Sequence, residues 1–119
     1  MKINTLGTAS VTPLYDLSTT CLKLTVQGDL KSTTIKALHA EISSIIKHED
    51  AFSLEINLVE FDISAANIVD SLGINLVLSM VKWATNNSAE MHVILGSRSV
   101  YDTLIAVGIE RHAKLVCRE

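Results

Sequence analysis

Proline occurs once, at Pro13, and glycine only five times in 119 residues. So few chain breakers exclude a long flexible linker and any low-complexity tract. Aromatic side chains make up only 4% of the chain, so the core must be built from Leu, Ile, Val and Ala. That composition suits helices layered on a sheet. Cysteine appears twice, at Cys21 and Cys117, each in an apolar run of strand character. One pair in a chain that is 48% apolar is not a disulfide framework. Buried, reduced thiols are expected instead. No block of basic residues occurs, and 13 acids against 10 bases leave a net charge of −3. A mildly acidic surface disfavours nucleic acid as a partner.

Long hydrophobic runs are missing as well. The N-terminus lacks a basic segment followed by an apolar one, so no signal peptide is expected. The longest apolar stretch, Leu72 to Ala84, is interrupted by Asn75, Ser79 and Lys82 and is too short to cross a bilayer, so no membrane insertion is expected. A reducing, cytoplasmic setting fits these features. Asn86-Asn87-Ser88 matches a glycosylation acceptor, a chance match where no secretory signal accompanies it.

Catalytic and metal-binding patterns are equally sparse. His39, His48, His92 and His112 are scattered singly and form no ligand motif. Asp62 and Asp70 find no third ligand at a convincing spacing and read as turn formers or caps. Gly96-Ser97-Arg98-Ser99 lacks the lysine and spacing of a phosphate loop. No enzyme activity, metal or cofactor is expected.

What is present is periodicity. Val11–Tyr15 reads as a short edge strand. In Cys21–Gln27, Leu22, Leu24 and Val26 alternate onto one face, and Gly28-Asp29 ends the run. The two strands form a hairpin. Ser32, Thr33 or Thr34 caps a helix in which Ile35, Leu38, Ile42, Ile45 and Ile46 recur at helical spacing. His48-Glu49-Asp50 closes it. Phe52–Phe61 reads as a strand with Leu54, Ile56 and Leu58 alternating, followed by a loop over Asp62–Asp70. Leu72–Trp83 reads as a mostly buried helix with Asn75, Ser79 and Lys82 on one wet stripe. Met91–Leu95 is a central strand, and His92 within it is expected to be partly buried. Ser97 or Ser99 caps a helix carrying Val100, Leu104, Ile105 and Val107 and stopped by Gly108, and Lys114–Cys117 is a last strand. The fold class is therefore α/β. One domain over residues 1–119 has a mixed sheet of about four to five strands, with helices mainly on one side and the hairpin at an edge.

The most informative stretch is Phe61–Ile74. It brings Asp70-Ser71 to the start of an apolar helix. Backbone N–H groups point outward there and the helix dipole is positive, so an added phosphate would be well received. Ser71 is an N-cap candidate and a phospho-acceptor candidate, and the two roles are compatible. No neighbouring base would make it a nucleophile.

Several motifs, in order, resemble the STAS domain, the module of bacterial anti-sigma-factor antagonists and sulphate-transporter tails. Gly28-Asp29-Leu30 resembles the family's Gly-Glu-Leu turn, and Phe61-Asp62-Ile63-Ser64 its Leu-Asp-Leu-Ser strand end. Asp70-Ser71-Leu72-Gly73, starting eight residues after Asp62, resembles its Asp-Ser-Ser-Gly corner. Ser99-Val100 and Val107-Gly108-Ile109 resemble its final helix and stop. The resemblance covers about Cys21 to Cys117. In the antagonist branch the acceptor is the second serine, where this chain has Leu72. The stressosome branch has a hydroxyl residue directly after the aspartate and then a large apolar residue, which Asp70-Ser71-Leu72 matches. Lys31 replaces a family aspartate and could pair with a phosphate.

The resemblance implies a non-enzymatic partner-switching regulator, an anti-sigma-factor antagonist or a related protein, controlled by reversible phosphorylation of Ser71. Its partners would be an anti-sigma factor or serine kinase of the histidine-kinase-like ATPase type, and a serine phosphatase. Asp29, Lys31, Asp62, Asp70, Ser71, Leu72 and Asn75 would carry the partner surface, and self-association is compatible with it. The alternative is an accessory STAS subunit of a membrane lipid ABC transporter, docking on its ATPase through the same corner.

Overall fold

The computed structural model describes residues 9–51, 55–68 and 71–118. Five strands stand in one sheet in sequence order: β1 (Ala9–Asp16), β2 (Cys21–Leu30), β3 (Leu58–Ile68), β4 (Glu90–Leu95) and β5 (Lys114–Cys117). β1 and β2 pair antiparallel as the expected hairpin, and every later neighbour pairs parallel. Pro13, which cannot donate to a ladder, sits on edge strand β1. Helices α1 (Ile35–Ala51), α2 (Ser71–Asn86) and α3 (Arg98–Ala106) make the three crossovers. Right-handed crossovers that all step the same way across a sheet place their helices on one face. The core confirms it: Leu22, Leu24 and Val26 of β2, Val59, Phe61 and Ile63 of β3, and Met91, Val93 and Leu95 of β4 join Leu38, Ile42, Leu76, Val77 and Leu104 in one cluster. The architecture is the expected α/β sandwich of helices on a mixed sheet.

Several boundaries differ from expectation. β2 does not end at Gly28-Asp29. Gly28 takes a φ of 101°, which glycine tolerates, and the strand continues to Leu30. α1 continues through the expected polar turn to Ala51. The largest correction concerns β3. It starts at Leu58 and runs to Ile68, through the segment expected to be a loop. Its inward residues are Val59, Phe61 and Ile63, one step out of phase with the expected Leu54–Ile56–Leu58 face. Phe52–Leu54 lie outside the described residues. The thiols of Cys21 and Cys117 are free and half-buried rather than buried, and burial pushes the Cys21 thiol above its ordinary pKa.

β3 holds its length by bulging. Thr25 pairs with Asp62 but Gln27 pairs with Ala65, so Ile63 and Ser64 together oppose Val26. Pairing to β4 stops at Asp62–Ile94, and the rest of β3 follows β2 alone, ending with Ile68 opposite Leu30. His92 is half-buried within β4, as expected, and Trp83 lies half-buried at the rim of the core.

Candidate functional site

The carboxyl ends of β2 and β3 and the start of α2 meet at one corner. Leu30 and Ile68 are paired residues at those strand ends. Gly73, in the first turn of α2, packs directly on both. A Cβ added to Gly73 would lie 3.0 Å from Ile68 Cγ2, 3.0 Å from Leu30 Cβ and 3.2 Å from the Leu30 carbonyl oxygen. Only a residue without a side chain lets the helix come this close without displacing a neighbour. The contact fixes where Ser71 stands. Ser71 is the first residue of α2 and is exposed. Its amide belongs to the group of N-terminal donors that lack an intrahelical acceptor.

Asp29, Lys31 and Asn67 stand at the ends of β2 and β3 that lead to this corner. Asn67 Nδ2 donates to Asp29 Oδ1 at 3.1 Å, tying the two strand ends across the corner. Lys31 follows Leu30 and is half-buried, and no salt bridge joins it to a carboxylate among the described residues. The turn that carries it is stapled by the buried Thr34. Thr34 Oγ1 donates to the Asp29 carbonyl at 2.5 Å and accepts from the Lys31 N–H at 3.2 Å, while the Ile35 N–H donates to the Lys31 carbonyl at 2.9 Å. Thr34, one of the three expected capping residues, thus braces the strand-to-helix turn. Asp70 lies outside the described residues.

Leu72 and Asn75 are both exposed and open onto a groove of about 420 Å³ between α1 and α2. Ile35, Lys36 and His39 form the opposite wall. Leu72 is 37% exposed, a large apolar side chain at the surface one residue from Ser71. The groove and the corner form one continuous surface through Ser71-Leu72.

Asp62 is placed differently from the others. It is 7% exposed and points to the sheet face opposite the helices. Its Oδ1 accepts from the Ser64 N–H at 3.0 Å and the Ser64 hydroxyl at 2.6 Å, and its Oδ2 lies 3.9 Å from Arg118 Nη1. Burial pushes the carboxyl pKa up. The two Ser64 bonds, with Arg118 and Lys23, outweigh that and hold it below the ordinary value. Its hydrogen bonds are made inside the chain, where they shape the β3 bulge.

Sequence reasoning missed Asn67 and Thr34 as members of the corner. Asn67 fell in the segment read as a loop, and only the continued pairing of β3 with β2 brings it to Asp29. Among the described residues no three His, Cys, Asp or Glu side chains converge as a metal site would require. No helix among them is long and apolar enough to cross a membrane.

Residues 13–116 match the STAS domain family, and the chain belongs to it. None of the curated proteins matches the chain significantly. STAS domains are generally non-enzymatic binding modules, and membership points to a protein-interaction or regulatory role.

Proposed function

We propose that this chain is a partner-switching regulator of the anti-sigma-factor-antagonist type, whose docking face is the Ser71 corner and whose switch is phosphorylation of Ser71. The observation that carries this reading is the position of Ser71: exposed, at the first residue of α2, and seated by the close approach of Gly73 to Leu30 and Ile68. A kinase of the histidine-kinase-like ATPase type would transfer the terminal phosphoryl group of ATP to Ser71 Oγ, and a serine phosphatase would hydrolyse it. The phosphate adds a charge of about −2 beside the N-terminal amides of α2. On an interface that includes the exposed Leu72, that charge must be desolvated for the partner to bind, which releases the partner.

Ser71→Asp is expected to weaken the ATPase partner at least about tenfold, and Ser71→Ala to leave binding intact. Equal affinity of the two variants would remove phosphorylation from the account. If neither variant loses a transporter ATPase that the wild type binds, the corner is a constitutive docking face and the transporter-subunit reading stands. Lys31, half-buried at the corner without a described carboxylate partner, is assigned to holding the phosphate. Lys31→Ala should then hasten dephosphorylation in a timed phosphatase assay. Rates equal to wild type would make Lys31 an ordinary surface cation.

A further inference from the structure

The flank of α2 that faces α3 differs from the flank at the Ser71 corner. Leu78, Val81, Lys82, Thr85 and Asn86 follow one another at helical spacing along it and form one wall of a second groove, of about 340 Å³. The other wall is the turn after α3, which leads into a single 3₁₀ turn over Ile109–Arg111. The turn has a local cause. The Val107 N–H donates to the Thr103 carbonyl and the Gly108 N–H to the Ile105 carbonyl, and Gly108 takes a φ of 83°. That left-handed residue reverses the chain, buries Ile109 and leaves Val107 at the surface.

Two kinds of side chain line this groove. Its floor is apolar: Val81 and Ile109 are buried, while Leu78 is 38% and Val107 51% exposed. Its rim carries Lys82, Arg111 and His112, and no acid among the described residues lines it. Glu110, with Glu90 and Lys114, lines an adjoining depression that shares His112 with the groove. Neither Lys82 nor Arg111 is salt-bridged to a described carboxylate. In a chain of net charge −3, an apolar strip with two unopposed cations is a local departure that points to a ligand of opposite charge.

We propose that this groove docks an acidic amphipathic helix of another protein. From Leu78 to Asn86 the α2 wall is about 12 Å long, room for roughly two turns of a docked helix. Such a helix would place two or three apolar side chains on the Leu78–Val107 strip and its carboxylates against Lys82 and Arg111. An acyl chain fits less well, because an open groove between two walls cannot enclose it as lipid pockets do. This groove shares no lining residue with the one onto which Leu72 and Asn75 open, so its partner is distinct from the one at Ser71 and independent of the phosphorylation switch.

The test uses the full chain and two fluorescent helical peptides of 18 residues, about five turns each. Both carry the same leucine stripe; one has glutamates and the other lysines at the remaining positions. Anisotropy titrations should show the glutamate peptide binding with a Kd of order 10–100 μM and the lysine peptide at least about tenfold weaker. Binding should fall with added salt. The double variant Lys82→Glu/Arg111→Glu should reverse the preference, Val107→Ser should weaken both peptides, and Ser71→Asp should change nothing. All substituted positions are exposed, and unchanged circular dichroism confirms that each variant folds. Equal binding of the two peptides, or none, would overturn the proposal. So would capture by phosphatidylglycerol vesicles that depends on Lys82 and Arg111 while the glutamate peptide stays unbound, which would assign the groove to a lipid surface. Loss of peptide binding in Ser71→Asp would merge this surface with the switch and overturn the independence claimed for it.

Discussion

Asp62 shows how one side chain controls the shape of a strand. Its sequence context suggests a turn former or cap at a strand end, yet it is buried within β3, and its two bonds to Ser64 close the β3 bulge. Because its folded-state pKa is lowered from an ordinary 3.8, the stability it contributes is complete above about pH 4 and is lost as pH falls through the lowered value. Asp62→Asn should cost about 1–2 kcal/mol at neutral pH. It should also flatten the loss of stability on acidification, read from urea midpoints at pH 5 and pH 3. An unchanged acid slope in the variant would move that dependence to another carboxylate. Gly96 is the bulge's other requirement. A Cβ there would lie 2.3 Å from the Ser64 carbonyl oxygen, which backbone cannot yield without shifting the bulge. Gly96→Ala is expected to cost about 2–3 kcal/mol. Gly73→Ala meets its neighbours at 3.0 Å and gains about 1 kcal/mol of helix propensity, so it should cost under about 1 kcal/mol. Chemical denaturation of the two variants decides the order; a costlier Gly73→Ala would mean that the corner is more rigid than the bulge.

At the level of elements, legibility followed burial. β2 was readable because Leu22, Leu24 and Val26 face the core while Lys23 and Thr25 do not, the simplest form of the period-two signal. β3 was not. Its neighbours Leu58 and Val59 are both apolar, so alternation fixes no phase, and Phe61, Asp62 and Ile63 are all buried because the far face is sealed beside Ile94. A buried, satisfied aspartate inside a strand is indistinguishable in sequence from a turn former. The expected loop therefore began too early, and Asn67 was lost with it. α2 was legible as a helix, and its wet stripe of Asn75, Ser79 and Lys82 is exposed as expected. Apolar content overstated its burial, however: Leu72 and Leu78 are surface residues, one on each groove. A leucine's hydrophobicity does not distinguish burial in the core from exposure at an apolar docking face.

For the whole molecule, sequential strand order has a functional consequence. Parallel neighbours β2 and β3 end at the same edge of the sheet, and the chain must pass from β3 into α2 there. Residues some forty positions apart, Asp29 and Asn67 among them, are thus neighbours by topology alone. That convergence could be anticipated from the β-α-β order, and the family motifs fall on it: Gly28–Leu30 at the end of β2 on one side, Ser71–Gly73 at the start of α2 on the other. The single packed face leaves two grooves open along α2, the proposed switch lying beside one and the proposed standing contact in the other. The most direct test of the central claim is phosphosite mapping by mass spectrometry. The wild-type chain and Ser71→Ala are each incubated with the cognate kinase and ATP, then digested. The account expects one phosphate on wild type, at Ser71, and none on the variant. A phosphate on another residue, or equal incorporation into Ser71→Ala, would contradict it.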